Sequence, residues 1–102
     1  MTKEIKSTLI KATEPLDFYG FGSFFRGALR YNDVDLLVVC DASRARLKGI
    51  YDNLRELFAP FGETYHVPVH IFLVTRQEFF HQPLANMDEI VFLGASPQCM
   101  VN

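Results

Sequence analysis

The sequence predicts an α+β domain (α/β-like), a small mixed β-sheet of three to four strands with helices packed on it. Three observations predict this. Short β-branched and aromatic runs (LDFYGF, DVDLLVVC, VPVHIFLV, EIVFL) alternate with segments of helical period, and such alternation builds a sheet covered by helices. The run from Leu36 to Cys40 is continuously apolar, which is how a strand buried on both faces reads. The chain has 102 residues, 49 % of them hydrophobic and ten of them Phe. That is enough for one core and leaves little for a second domain.

The elements follow in order. Residues 1–14 form an N-terminal helical segment, with Ile5, Leu9 and Ala12 on one face over residues 2–13. Pro15 closes it, because a proline drives the preceding residue away from helix. Residues 16–21 form a brief aromatic strand punctuated by Gly20 and Gly22. Residues 23–31 supply a turn with room for one helical turn. Residues 33–40 are the strongest strand.

Residues 43–59 form a long amphipathic helix, with Leu47, Ile50, Tyr51, Leu54, Leu57 and Phe58 stepping by three and four. Ser43 is the candidate N-cap, and Gly62 falls after the last turn. Residues 67–74 give a third strand. Thr75 and Glu78 then make a capping box that opens a short helix, which Pro83 ends. Residues 89–93 give a fourth strand, and residues 94–102 an irregular tail.

Composition narrows the function. Net charge is −2 and the sequence pI about 5.8. A general nucleic-acid coat protein would be basic overall, so only a local basic patch remains open for nucleic acid. The two cysteines, Cys40 and Cys99, read as a core thiol and a tail thiol rather than a disulfide framework. No apolar stretch has the length of a signal peptide or a membrane span. A reduced, cytoplasmic setting is expected, without a membrane partner.

The chemistry concentrates in residues 21–36, FGSFFRGALRYNDVDL. Gly22 has no side chain, so a phosphate can approach its backbone closely. A helical turn starting at Ser23 would offer free N–H groups to an anion, and the Ser23 hydroxyl adds a donor. Asp33 and Asp35 lie two apart on a strand and share a face. Their Cα atoms are then roughly 6.6 Å apart, at ~3.3 Å per residue. Two carboxylates so placed can lean onto one hard cation, and magnesium takes few carboxylates together with water and substrate phosphates. Each piece alone has a plainer reading: Gly-Ser is commonly only a turn, and Asp-x-Asp at a strand entry is commonly solvated. The combination is more specific, because carboxylates entering a buried strand must pair, sit at an edge or bind a cation.

These residues resemble the signature of the polymerase-beta-type nucleotidyltransferases, above all their minimal one-domain members. Phe21, Gly22, Ser23, Asp33, Val34 and Asp35 each match it, and Arg26 and Gly27 match the Gly-Ser-x-x-Arg-Gly form of the minimal group. The resemblance implies the nucleotidyltransferase fold and transfer of a nucleoside monophosphate from a nucleoside triphosphate, ATP first, to a hydroxyl. It implies that Gly22, Ser23 and Arg26 hold the triphosphate, and that Asp33 and Asp35 bind Mg2+ or Mn2+ and are catalytic.

The third carboxylate that such proteins carry on the next strand is missing from VPVHIFLV, where His70 takes the equivalent position. Imidazole is a poor magnesium ligand, although near its ordinary pKa of about 6.5 it can act as a base. Three readings stay open. His70 is the base, a carboxylate such as Glu63 is borrowed, or the domain binds nucleotide and transfers poorly. Antitoxins that nucleotidylate a ribonuclease toxin belong to the minimal group, so a toxin or other protein partner, or a second copy, is expected to complete the cleft.

Other polar residues carry plainer expectations. His66 and His70 would stand roughly 13 Å apart on a strand at ~3.3 Å per residue and cannot share a zinc ion. His81 reads as a solvated helix residue. Arg44, Arg46 and Lys48 read as a solvated helix face, and Phe24 and Phe25 as core. Arg30 and Tyr31 are further candidates for phosphate and base contacts.

Overall fold

A computed structural model of the protein describes residues 2–12, 14–25, 27, 32–41, 43–81 and 90–96. Arg26, Arg30, Tyr31, Pro83, Glu89, Cys99 and most of the expected tail lie outside them. The elements run α1 (Thr2–Leu9), β1 (Leu16–Phe21), α2 (Gly22–Phe25), β2 (Val34–Cys40), α3 (Leu47–Tyr65), β3 (Val69–Thr75), α4 (Arg76–Phe80) and β4 (Val91–Ala95). The strands form one mixed sheet in the order β3-β2-β1-β4. β1 pairs antiparallel with both β2 and β4, while β2 and β3 are parallel. A parallel pair needs a crossover, and α3 supplies it.

The two sheet faces differ. On the inner face Leu16 and Phe18 of β1, Val34, Leu36, Val38 and Cys40 of β2, Ile71 and Leu93 join Ile5, Leu9, Ile50, Leu54, Phe58 and Phe61 in one buried cluster. α1 and α3 therefore cover this face. The alternate residues of β2 point the other way, yet Leu37 and Val39 are also fully buried. The continuous apolar run of β2 thus reflects burial on both sides, as its pattern implies.

Part of the outer cover is α4. Phe79 stacks on Tyr19 with ring centroids 5.1 Å apart, and Arg76 bridges Asp17 at 3.0 Å and Asp41 at 2.6 Å. The Thr75–Glu78 capping box is present in both directions, Glu78 N–H to Thr75 Oγ1 at 3.2 Å and Thr75 N–H to Glu78 Oε1 at 2.9 Å.

Several boundaries differ from the sequence expectation. The first helix ends at Leu9, not 13. Lys11 and Ala12 donate to Thr8 and Leu9 in three-residue turns at 3.0 and 3.1 Å, which unwind the helix before Pro15 acts. Ser43 is not the N-cap of the long helix. A 3-10 turn, Arg44–Arg46, intervenes, its Arg46 N–H donating to the Ser43 carbonyl at 3.0 Å, and Arg46 takes the cap position without a side-chain cap bond.

The long helix also continues past residue 59 and through Pro60 to Tyr65. Phe61 is buried in the core and its ring meets Tyr65 at 4.8 Å, so packing holds two turns that the proline weakens. His66, and not a residue near Gly62, ends the helix. It is left-handed at φ 53°, with its N–H and that of Val67 on the Gly62 carbonyl. That cap delays β3 to Val69, and His66 is a helix stop rather than a strand entry. His81 likewise caps the short α4. Finally, Gly94 and Ala95 belong to β4 rather than to the tail.

Candidate functional site

The site starts at the bend after β1. Gly20 lies on the inner face, where an added Cβ would sit 2.6 Å from the Phe25 ring. The missing side chain lets Phe25 fold back over β1 and seats α2, so Phe24 and Phe25 pack against the core as expected. Gly22 has φ 82°, and a Cβ there would fall 2.5 Å from Asp35 Oδ2. The backbone of the bend and the Asp35 carboxylate are therefore immediate neighbours. Only glycine satisfies both the positive φ and the close approach.

Strand register brings in the remaining groups. Asp35 stands opposite Phe21 on one side and His70 on the other. Asp33 immediately precedes β2, whose first residue donates its N–H to the Pro68 carbonyl at 2.9 Å. His70 Nδ1 lies 3.3 Å from Asp35 Oδ1 and 3.5 Å from Asp33 Oδ2. One ligand atom from each of the three residues falls within 4.8 Å of the others. Their side chains are 17 % (Asp35), 32 % (Asp33) and 51 % (His70) exposed, so the group opens to solvent on the His70 side.

Electrostatics single out Asp35. Burial pushes its carboxyl above the usual range, the Asp33 charge pushes the same way, and His70 opposes both. Two acidic groups are thus held together at a cost that a cation would relieve. Donors on one cation at about 2.0–2.2 Å stand about 3 Å from each other, close to the spacing of Nδ1 from the two carboxylate oxygens. The carboxylates fit magnesium. The imidazole nitrogen does not, since a hard cation takes oxygen.

Gly22, Asp33, Asp35 and His70 are brought together as the sequence predicts. Ser23 follows Gly22 as the second residue of α2, a helix of only one turn. Arg26 lies outside the described residues. Glu63 stands on α3 and takes no part in the acidic group. Of the basic cluster, Arg46 pairs with Glu14 at 2.6 Å and Lys48 with Asp52 at 2.9 Å. A groove of about 270 Å³ lined by Lys11, Ala12, Glu14, Leu16, Ile50 and Asn53 belongs to the helical side, away from the carboxylates.

Sequence reasoning missed Phe72. Its ring meets Phe21 at 5.3 Å and is 41 % exposed beside the acidic group. The available signal was its position two residues after His70, which places both on one face. In comparisons with family models, curated proteins and solved structures, nothing matches the chain. Fold and site together define an α+β domain with a carboxylate–imidazole group at the mouth of a glycine bend.

Proposed function

We propose that the protein is a metal-dependent nucleotidyltransferase that moves a nucleoside monophosphate from a nucleoside triphosphate, ATP first, to a hydroxyl on a protein or small molecule. One observation carries the reading. The Asp35 carboxylate touches the Gly22 bend and, on its other side, faces His70. The glycine bend to which this reading assigns the phosphates and the donors for a cation are therefore immediate neighbours. A bound divalent cation would neutralise charge on the attacking and leaving oxygens.

The residues have separate tasks. The Gly22 bend would receive the polyphosphate through its backbone N–H groups. Asp33 and Asp35 hold the cation, and Ser23 and Arg26 keep the phosphate-binding roles that the resemblance assigns. The acceptor oxygen bonds to the α-phosphorus, pyrophosphate leaves, and the hydroxyl proton passes to a base. In this reading His70, half exposed beside the carboxylates, serves as ligand or as base.

The second reading is a nucleotide- or partner-binding domain that transfers poorly, and the imidazole in place of a third carboxylate favours it. In either case a partner protein, a toxin among them, or a second copy completes the cleft. Phe72, Phe80 and Phe92 offer apolar surface for it, being 41 %, 79 % and 57 % exposed. The cytoplasm, with its nucleoside triphosphates and reduced thiols, is the setting we assign. Among the described residues no helix is long and apolar enough to cross a membrane.

The test is incubation with α-labelled ATP and Mg2+ or Mn2+, with and without co-expressed neighbours, followed for label transfer. Metal-dependent ATP binding should vanish in Asp35→Asn. Binding equal to the parent's would refute the site. ATP binding without transfer under every condition would favour the second reading.

A further inference from the structure

Resting on the proposed metal site, we propose that Asp33, Asp35 and His70 bind a first-row transition cation such as Mn2+ or Co2+ through the His70 imidazole, in preference to Mg2+. The donor set is two carboxylate oxygens and one imidazole nitrogen. Nδ1 stands 3.3 and 3.5 Å from the two oxygens, the separation of adjacent donors around one small cation. Parallel pairing places His70 beside Asp35 by register, so the nitrogen is built into the sheet and does not reach the group from a loop. His70 is half exposed, which leaves room for the waters and phosphate oxygens that complete a shell.

Imidazole nitrogen is taken up increasingly well along the first-row transition series, least by Mn2+ and better by Co2+, whereas Mg2+ selects oxygen and gives up water reluctantly. The site therefore fits Mg2+ worse than a three-carboxylate site would. An all-oxygen site also binds Mn2+ and Co2+ somewhat more tightly than Mg2+, so preference alone does not identify the nitrogen. The quantity that does is the change in preference when the nitrogen is replaced by a carboxylate. The competing account is an ion pair in which a protonated His70 bridges the two aspartates and binds no metal.

The experiment is titration of the metal-free protein with Mn2+, followed by electron paramagnetic resonance, with Mg2+ as competitor. Parent, His70→Asp, His70→Gln and Asp35→Asn are compared, each checked for folding by circular dichroism. Pulsed measurement on bound Mn2+ then reads coupling to an imidazole nitrogen.

The parent should show that coupling, and both His70 variants should lose it. The Mn2+/Mg2+ affinity ratio should fall severalfold in His70→Asp. Binding that needs Asp35 but shows no nitrogen coupling and an unchanged ratio would overturn the inference and leave the proposed function standing. Absence of any Asp35-dependent binding would overturn both.

Discussion

Gly22 is the residue on which the site turns. Any side chain there meets two obstacles, a backbone at φ 82° and the Asp35 oxygen 2.5 Å from where its Cβ would stand. The carboxylate is the movable party, so Gly22→Ala should swing Asp35 out of the group. Expected are a stability loss of about 1–2 kcal/mol from the left-handed backbone and weaker divalent-cation binding. Urea unfolding and cation titration measure the two effects separately.

Asp35 makes the complementary point. Its carboxyl is raised by burial and by Asp33, so the native state holds that proton more tightly than the unfolded chain does. As pH rises from the unfolded value of about 3.9 through the raised native one, this group's contribution to stability is lost. In chelator, Asp35→Asn should therefore melt above the parent at pH 7, with the gap closing as pH falls through that window. An unchanged gap across the pH range would contradict it. The residue that the proposed activity needs most is the one the empty fold would be better without.

Among the elements, β4 was the hardest to read and is tied down most unexpectedly. Ser96 follows it and is buried. Its hydroxyl donates to the Glu14 carbonyl and accepts the Leu16 N–H at 2.8 Å, while its own N–H reaches the Leu16 carbonyl at 2.9 Å. Ser96→Ala leaves the buried Leu16 N–H without its acceptor, and should cost about 1–3 kcal/mol. Loss of amide-exchange protection at Leu16 would accompany it, and retained protection would count against this role.

The sequence hid this, since a serine among Gly, Ala and Pro looks like turn chemistry, and the strand's partner lies at the other end of the chain. The C-terminal end of the long helix differs from the sequence expectation for a related reason. Pro60 and Gly62 are local stop signals, and the burial of Phe61 that overrides them is a tertiary fact. By contrast β1, β2 and the Thr75–Glu78 box were legible because period, apolar continuity and capping are local properties. The approach of Asp33, Asp35 and His70 was half legible. Spacing placed the aspartates on one side, while the neighbouring position of His70 depends on the parallel register of β2 and β3.

At the scale of the whole molecule, the sheet order β3-β2-β1-β4 puts the acidic group away from the late-arriving strand. Residues from the end of β1 to Phe72 on β3 supply every group named in the site, whereas β4 completes the opposite edge. The β1–β4 ladder joins Asp17 to Ala95 and Gly20 to Val91. Closing so long a loop is entropically demanding and slows folding. During synthesis, β1 must therefore wait with one row of backbone donors and acceptors unpaired until β4 leaves the ribosome. That open edge is an aggregation-prone surface of the nascent chain.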